Sequence, residues 1–133
     1  MASFRMGQAA ELLGVSTDTL RRWADAGRLE TTRTAGGRRV VDGVALAELA
    51  RTLAVEPELG ATVAASARNR FTGIVTRVVK DKVMAQVELQ AGPHRVVALL
   101  SREAADELAL APGVLAVAAV KATNVVVELP GQP

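Results

Sequence analysis

Apolar positions change their period once along this chain. Up to about residue 53 they recur at helical spacing, and from about residue 66 they alternate or run together in short valine-rich stretches. The first pattern predicts a short helix from Gly7 to Leu13, ended by Gly14, with Val15 packing the turn. Ser16 is the expected N-cap of a second helix, Thr17 to Ala26, and Gly27 suits the left-handed position that ends helices. Leu20, Trp23 and Ala24 stand at i, i+3 and i+4, so they face a core. Leu29–Arg33 and Arg38–Val41 read as a hairpin with Thr34-Ala35-Gly36-Gly37 at its tip. Asp42 caps a third helix to about Leu53, with Val44, Leu46, Leu49 and Leu53 inward.

The second pattern predicts five β runs: Ile74–Val79, Val83–Leu89, Arg95–Leu100, Val114–Val120 and Asn124–Leu129. Such short spacing implies a small sandwich or barrel. A helical stretch, Arg102–Leu108, interrupts the runs with Ser101 as its N-cap, and Pro112-Gly113 marks a turn. Residues 54–65 have no strong period and contain Pro57 and Gly60, so they read as a linker. The expected organisation is α+β: residues 1–53, a linker over 54–65, and a β domain over 66–130.

Composition removes several function classes. The 133 residues fit one domain or two very small ones. Half are hydrophobic, yet Phe4, Trp23 and Phe71 are the whole aromatic content, too little for a base-stacking platform. The chain has no cysteine, which excludes disulfides, thiolate zinc sites and a cysteine nucleophile. The one histidine, His94, follows Gly92-Pro93 in a turn and reads as an exposed turn residue. No nucleophile–base pair, cofactor loop or metal cluster is apparent, and Asp106 and Glu107 are adjacent rather than set as a catalytic pair, so no enzyme is expected. No apolar stretch approaches the roughly 18 residues of a membrane span, and the expectation is a soluble, cytoplasmic protein. A net charge of +2 says little about partners.

Position says more than total charge. Two short helices joined by a glycine turn form a helix-turn-helix, and the second helix turns threonine and arginine away from its apolar face. These side chains reach phosphates and guanine edges. The segments Gly7–Trp23, Ala26–Leu29 and Arg33–Arg39 resemble the MerR/excisionase-type winged helix-turn-helix. The resemblance implies double-stranded DNA as partner, with Thr17, Thr19, Arg21 and Arg22 on the recognition helix and Arg38 and Arg39 on the wing. Family wings commonly continue Gly-Gly-His-Arg-Arg-Tyr, whereas this chain has Gly-Gly-Arg-Arg-Val-Val, without the aromatic. The long dimerisation helix of full MerR regulators is absent.

In the second half, a tetrahedral dianion would need positive charge and directed donors. Arg68 and Lys121 offer charge, Ser66, Ser101 and Thr123 offer hydroxyls, and the loop amides at Ala67 and Ala122 offer N–H groups. By themselves these residues name no ligand. Ser-Ala-Arg-Asn-Arg-Phe-Thr-Gly-Ile-Val (66–75), Ala-Leu-Leu-Ser (98–101), Leu-Ala-Pro-Gly-Val (110–114) and Val-Lys-Ala-Thr-Asn-Val (120–125) resemble the Mop or molbindin domain, of the TOBE class. That resemblance implies a five-stranded OB-like β-barrel binding molybdate or tungstate at subunit interfaces. Its contacts would be Ser66, Ala67, Arg68, Lys121, Ala122 and Thr123, with Ser101 as a further candidate and no other metal. Ala104 stands where some relatives offer a hydroxyl.

Together the halves imply a molybdate- or tungstate-sensing transcriptional regulator that works as a homo-oligomer. The resemblance implies a dimer unit, and stand-alone single-Mop proteins form hexamers. Two alternatives are a molybdate storage or buffering protein with an adaptor helix-turn-helix, and a DNA-binding oligomer whose barrel is only a scaffold.

Overall fold

The computed structural model describes residues 2–54 and 68–131. The chain divides into two compact units, Met1–Glu56 and Pro57–Pro133. Most of the expected linker therefore lies outside the described residues.

The first unit runs β1 (Ser3–Arg5), α1 (Met6–Leu13), α2 (Thr17–Asp25), β2 (Thr31–Arg33), β3 (Arg39–Asp42) and α3 (Gly43–Leu53). Gly14 closes α1 at φ 72°, and Gly27 follows α2 at φ 84°, both in the left-handed region open to glycine. Ser16 Oγ accepts the Thr19 N–H at 3.1 Å, and Asp42 accepts the Val44 and Ala45 N–H groups, so both caps form as expected. Leu20 and Val41 are fully buried, with Ala9, Ala10, Leu29, Leu46 and Leu49 around them and Trp23 packed against them. Val44 is 66% exposed, contrary to its expected inward position. At about 100° per residue, Leu46, Leu49 and Leu53 share one face, and Val44 lies nearly opposite Leu46. Strand β1 was not expected. It pairs antiparallel with β3, Phe4 opposite Val41, and makes the wing a three-stranded sheet of order β1-β3-β2.

The second unit is a curled antiparallel sheet of order β6-β5-β4-β7, with β4 (Asn69–Lys80), β5 (Met84–Ala91), β6 (His94–Ser101) and β7 (Leu115–Val120). Helix α4 (Arg102–Glu107) follows β6, capped by Ser101 Oγ accepting the Ala104 N–H at 3.0 Å. Val75, Val87 and Leu89 are its buried centre, covered in part by Val78, Leu100, Leu110 and Val114. The fifth expected run behaves differently. A 3₁₀ turn spans Ala122–Asn124, and Val125 onward joins no strand among the described residues. Val126, Val127 and Leu129 are 78%, 87% and 92% exposed. The run has strand composition but pairs with neither outer strand of its own sheet, β6 or β7, so the chain supplies four strands to that sheet.

The curl depends on Gly73. A Cβ there would stand 2.5 Å from the Gln90 carbonyl oxygen and 3.2 Å from Ala91 Cα, so β4 and β5 approach only because position 73 has no side chain. The register then shifts between Val75 and Arg77, which bends the strand further. Gly73→Ala should lower the stability of this unit by roughly 1–3 kcal/mol, the usual cost of forcing atoms into a filled space. Urea denaturation followed by circular dichroism measures it, and an unchanged midpoint would mean that β4 can move away from β5 at no cost.

Candidate functional site

Helix α2 presents Arg21 and Arg22, both exposed, on the side away from Leu20. Thr17 and Thr19 flank that side and are half-buried. Thr19 also has local duties: its hydroxyl accepts from Ser16 Oγ at 2.9 Å and from Arg22 Nη2 at 3.2 Å. Arg21 reaches Asp18 at 3.4 Å, an exposed pair that adds little and opens readily for a phosphate. On the wing, Arg33 Nη1 donates to the Gly37 carbonyl at 2.9 Å, and the Arg38 N–H donates to Thr34 Oγ1 at 3.2 Å. The side chain of Arg38 has no hydrogen-bond or ion-pair partner among the described residues. Arg39 differs from it. Its Nε donates to Thr31 Oγ1 at 2.8 Å, and its Nη2 lies 3.1 Å from Asp25 Oδ1. The sequence pattern marks Arg39 but not Asp25, because nothing local links a helix end to a strand fourteen residues later.

In the second unit, Arg68 and Lys121 directly flank Asn69 and Val120, the terminal pair of the β4–β7 ladder. Asn69 Nδ2 donates to the Val120 carbonyl at 3.2 Å and ties the two strand ends together. The sheet thus brings together two sequence motifs some fifty residues apart. Lys121 is the N-cap of the 3₁₀ turn, whose first internal bond runs from the Asn124 N–H to the Lys121 carbonyl at 2.9 Å. The amides of Ala122 and Thr123 precede that bond and are not used by it. Arg68, Lys121, Ala122 and Thr123 are all exposed. Neither Arg68 nor Lys121 pairs with a carboxylate among the described residues. Ser66 and Ala67 lie outside the described residues. Ser101 is elsewhere: it pairs with Met84 at the end of β5 that lies beside the far end of β4 from Arg68. Twelve residues of β4 separate the two places, roughly 35 Å of strand path. Its hydroxyl is also engaged in capping α4. No group of three or more His, Cys, Asp or Glu that could hold a metal ion occurs among the described residues, and no helix there is long and apolar enough to cross a membrane.

Known families account for both units. The MerR family regulatory protein domain matches residues 5–41, and the TOBE domain matches residues 65–127. The chain is a MerR–TOBE fusion. Both are regulatory or binding domains rather than catalytic ones. Among solved structures, the TOBE half is similar to the cytoplasmic molybdate-binding protein ModG with molybdate bound, at 36% identity and TM-score 0.50, over 52% of this chain and 50% of that one. It is also similar to a molybdate binding protein from Sporomusa ovata, at 31% identity and TM-score 0.49, and to MopII from Clostridium pasteurianum, at 33% and 0.47. Each of these two matches covers 50% of this chain and 100% of the other. No curated protein matches the chain.

Three carboxylates of the TOBE domain, Glu88, Asp81 and Asp106, are held by donors away from the Arg68–Lys121 end. Glu88 is nearly buried and accepts from Arg95, which holds its carboxyl below the ordinary Glu value of 4.5 despite the opposing effect of burial. Asp81 accepts the Met84 and Val83 N–H groups, and Asp106 accepts from Lys80 at 2.6 Å, so both are held below the ordinary Asp value of 3.8. Each contributes stability that is complete above its unfolded value and is lost as pH falls through the lower folded value. The TOBE-domain melting temperature should therefore be flat near neutrality and fall once pH drops below about 4.5. Glu88→Gln should make that fall shallower. Calorimetry between about pH 3 and 7 reads both curves, and equal slopes would remove Glu88 from this account.

Proposed function

We propose that this chain is a cytoplasmic DNA-binding transcriptional regulator that senses molybdate or tungstate through a homo-oligomeric TOBE domain. The observation that carries the reading is the meeting of Arg68 and Lys121 at the β4–β7 terminus, with no carboxylate partner among the described residues, in a chain that also has a MerR-family domain. Two cations with nearby free amides and hydroxyls suit a tetrahedral dianion. Ser66 and Ala67 precede Arg68 directly and are assigned to the same site, with Ala122 and Thr123. Molybdate-binding relatives at 31–36% identity support the ligand class. Thr17, Thr19, Arg21, Arg22 and Arg38 are assigned to DNA contact: the exposed arginines suit phosphates and guanine edges, and the half-buried threonines offer hydroxyls.

An open, fully exposed anion site hydrates its ligand too well to be selective, so the site needs a cover. A second copy of the chain can supply one. Between the inner faces of β6 and β7 lies an apolar trough of about 590 Å³, lined by Val87, Leu89, Val96, Leu100, Val114 and Ala118 among others. The same chain carries the exposed valine run 125–129. Pairing that run with the trough of a neighbouring copy buries both and assembles the oligomer. Anion binding at such contacts would favour assembly, and assembly would raise DNA affinity by presenting paired half-sites.

Titration calorimetry with molybdate, and with sulfate as control, tests the ligand. Molybdate should bind at a fixed ratio to chains. Arg68→Ala or Lys121→Ala should weaken it at least about tenfold, the loss expected for one charge-assisted hydrogen bond, with unchanged melting temperature. No heat with molybdate leaves the barrel as a scaffold, whereas binding without any salt-sensitive affinity for DNA leaves a storage protein. Replacing Val126 and Val127 with Lys should shift the chain to a smaller species in sedimentation, and an unchanged species would place the oligomer contact elsewhere.

A further inference from the structure

Arg39 is the arginine in the wing region that is anchored on two other elements. Its side chain is 24% exposed, and it bridges Thr31 at the start of β2 and Asp25 at the end of α2. The strand register adds a reason. Arg39 stands directly opposite Arg33 across the β2–β3 ladder, and like charges so placed repel. The repulsion is avoided because Arg33 turns to the Gly37 carbonyl near the tip, while Arg39 turns to α2. A two-point guanidinium contact also fixes direction, as a single ammonium would not.

The geometry points to Arg39 as a positioning residue that sets the angle between the wing and the DNA-facing helix, rather than as a group that touches DNA. This inference rests on the proposed DNA-binding reading of the MerR-family domain. Arg21 and Arg22 on α2 and Arg38 on the wing belong to separate elements, joined by the segment Ala26–Glu30. For these cations to meet one duplex together, wing and helix must hold a fixed relation. Asp25 and Arg39 close that relation from the helix end to the base of the hairpin. Asp25 is one turn from Arg21, on the same side of α2. An acidic residue there would repel phosphates if it stood alone, so its presence on this face is explained by its grip on Arg39.

Asp25→Ala therefore separates the two roles by sign. Removing a negative charge and freeing an arginine should tighten DNA binding if electrostatics alone governed it. If Asp25 and Arg39 form a positioning clamp, the same change weakens binding. The experiment uses the full chain and a duplex selected by the wild-type protein from a randomised pool. Asp25→Ala and Arg39→Ala should each weaken binding roughly threefold to tenfold, the scale of a partly exposed, hydrogen-bonded ion pair. The double variant should be no worse than either single one. The dependence of log affinity on log salt should keep its slope in Arg39→Ala, whereas Arg38→Ala should lower the slope by about 1. Tighter binding by Asp25→Ala, or a slope lowered by about 1 in Arg39→Ala, overturns the inference and makes Arg39 a phosphate contact. A second measurement is independent of DNA. Amides of β2 and β3 should exchange hydrogen faster in Asp25→Ala than in wild type, while those of α1 and α3 do not change. Equal wing exchange overturns the clamp. A wild-type chain that selects no duplex overturns only the DNA-binding reading, because the exchange result still judges the clamp.

Discussion

Pairing along both edges of β4 sets the geometry of the TOBE half. With β5 on one side and β7 on the other, β4 fixes which chain ends meet: Asn69 opposite Val120, hence Arg68 beside Lys121. It also determines what cannot meet, because Ser101 falls beside the opposite end of the same strand. The close approach at Gly73 and the register shift after Val75 curl the sheet, and the curl makes its inner face concave. Four strands curled this way leave β6 and β7 as outer strands with an apolar trough between their inner faces. The position of the cations and the uncovered apolar surface thus have one structural origin.

Charge in this molecule is organised by pairing rather than by total. A net charge of +2 conceals the fact that Glu88, Asp81 and Asp106 are each held by a specific donor, while Arg68 and Lys121 pair with no carboxylate among the described residues. The same division appears in the MerR-family unit. Arg33 and Arg39 are spent on the hairpin and its attachment, and Arg38 presents its guanidinium without a partner among the described residues. A lone cation in a partly paired surface is a stronger pointer to an anionic ligand than an excess of basic residues, because solvated pairs cancel at distances beyond the screening length.

Much of the helix-turn-helix was legible because its determinants are local. Ser16, Gly27 and Asp42 act within a few residues of the element they begin or end, and Leu20 and Trp23 follow a period that needs no knowledge of the partner surface. The failures there are equally physical. Strand β1 is three residues long, too short for alternation to register, and exists because β3 offers it an edge. Val44 is apolar yet outward, since composition alone does not fix helical phase. The Asp25–Arg39 contact joins residues whose meeting depends on where the hairpin folds back.

The valine run 125–129 marks the boundary of that legibility. Alternation and β-branched content describe how a segment packs on a pleated surface, and they are the same whether the surface belongs to its own chain or to another. A strand is made by its neighbour's hydrogen bonds, so a sequence can carry strand character that one copy of the chain does not realise. Val126, Val127 and Leu129 are in that position: apolar, beyond the 3₁₀ turn, and exposed. The same logic applies to the candidate anion site. Ser101 shares the hydroxyl chemistry of Thr123 but stands at the opposite end of the β4 ladder from Lys121, so residue type alone does not reveal which hydroxyls share an end of the sheet.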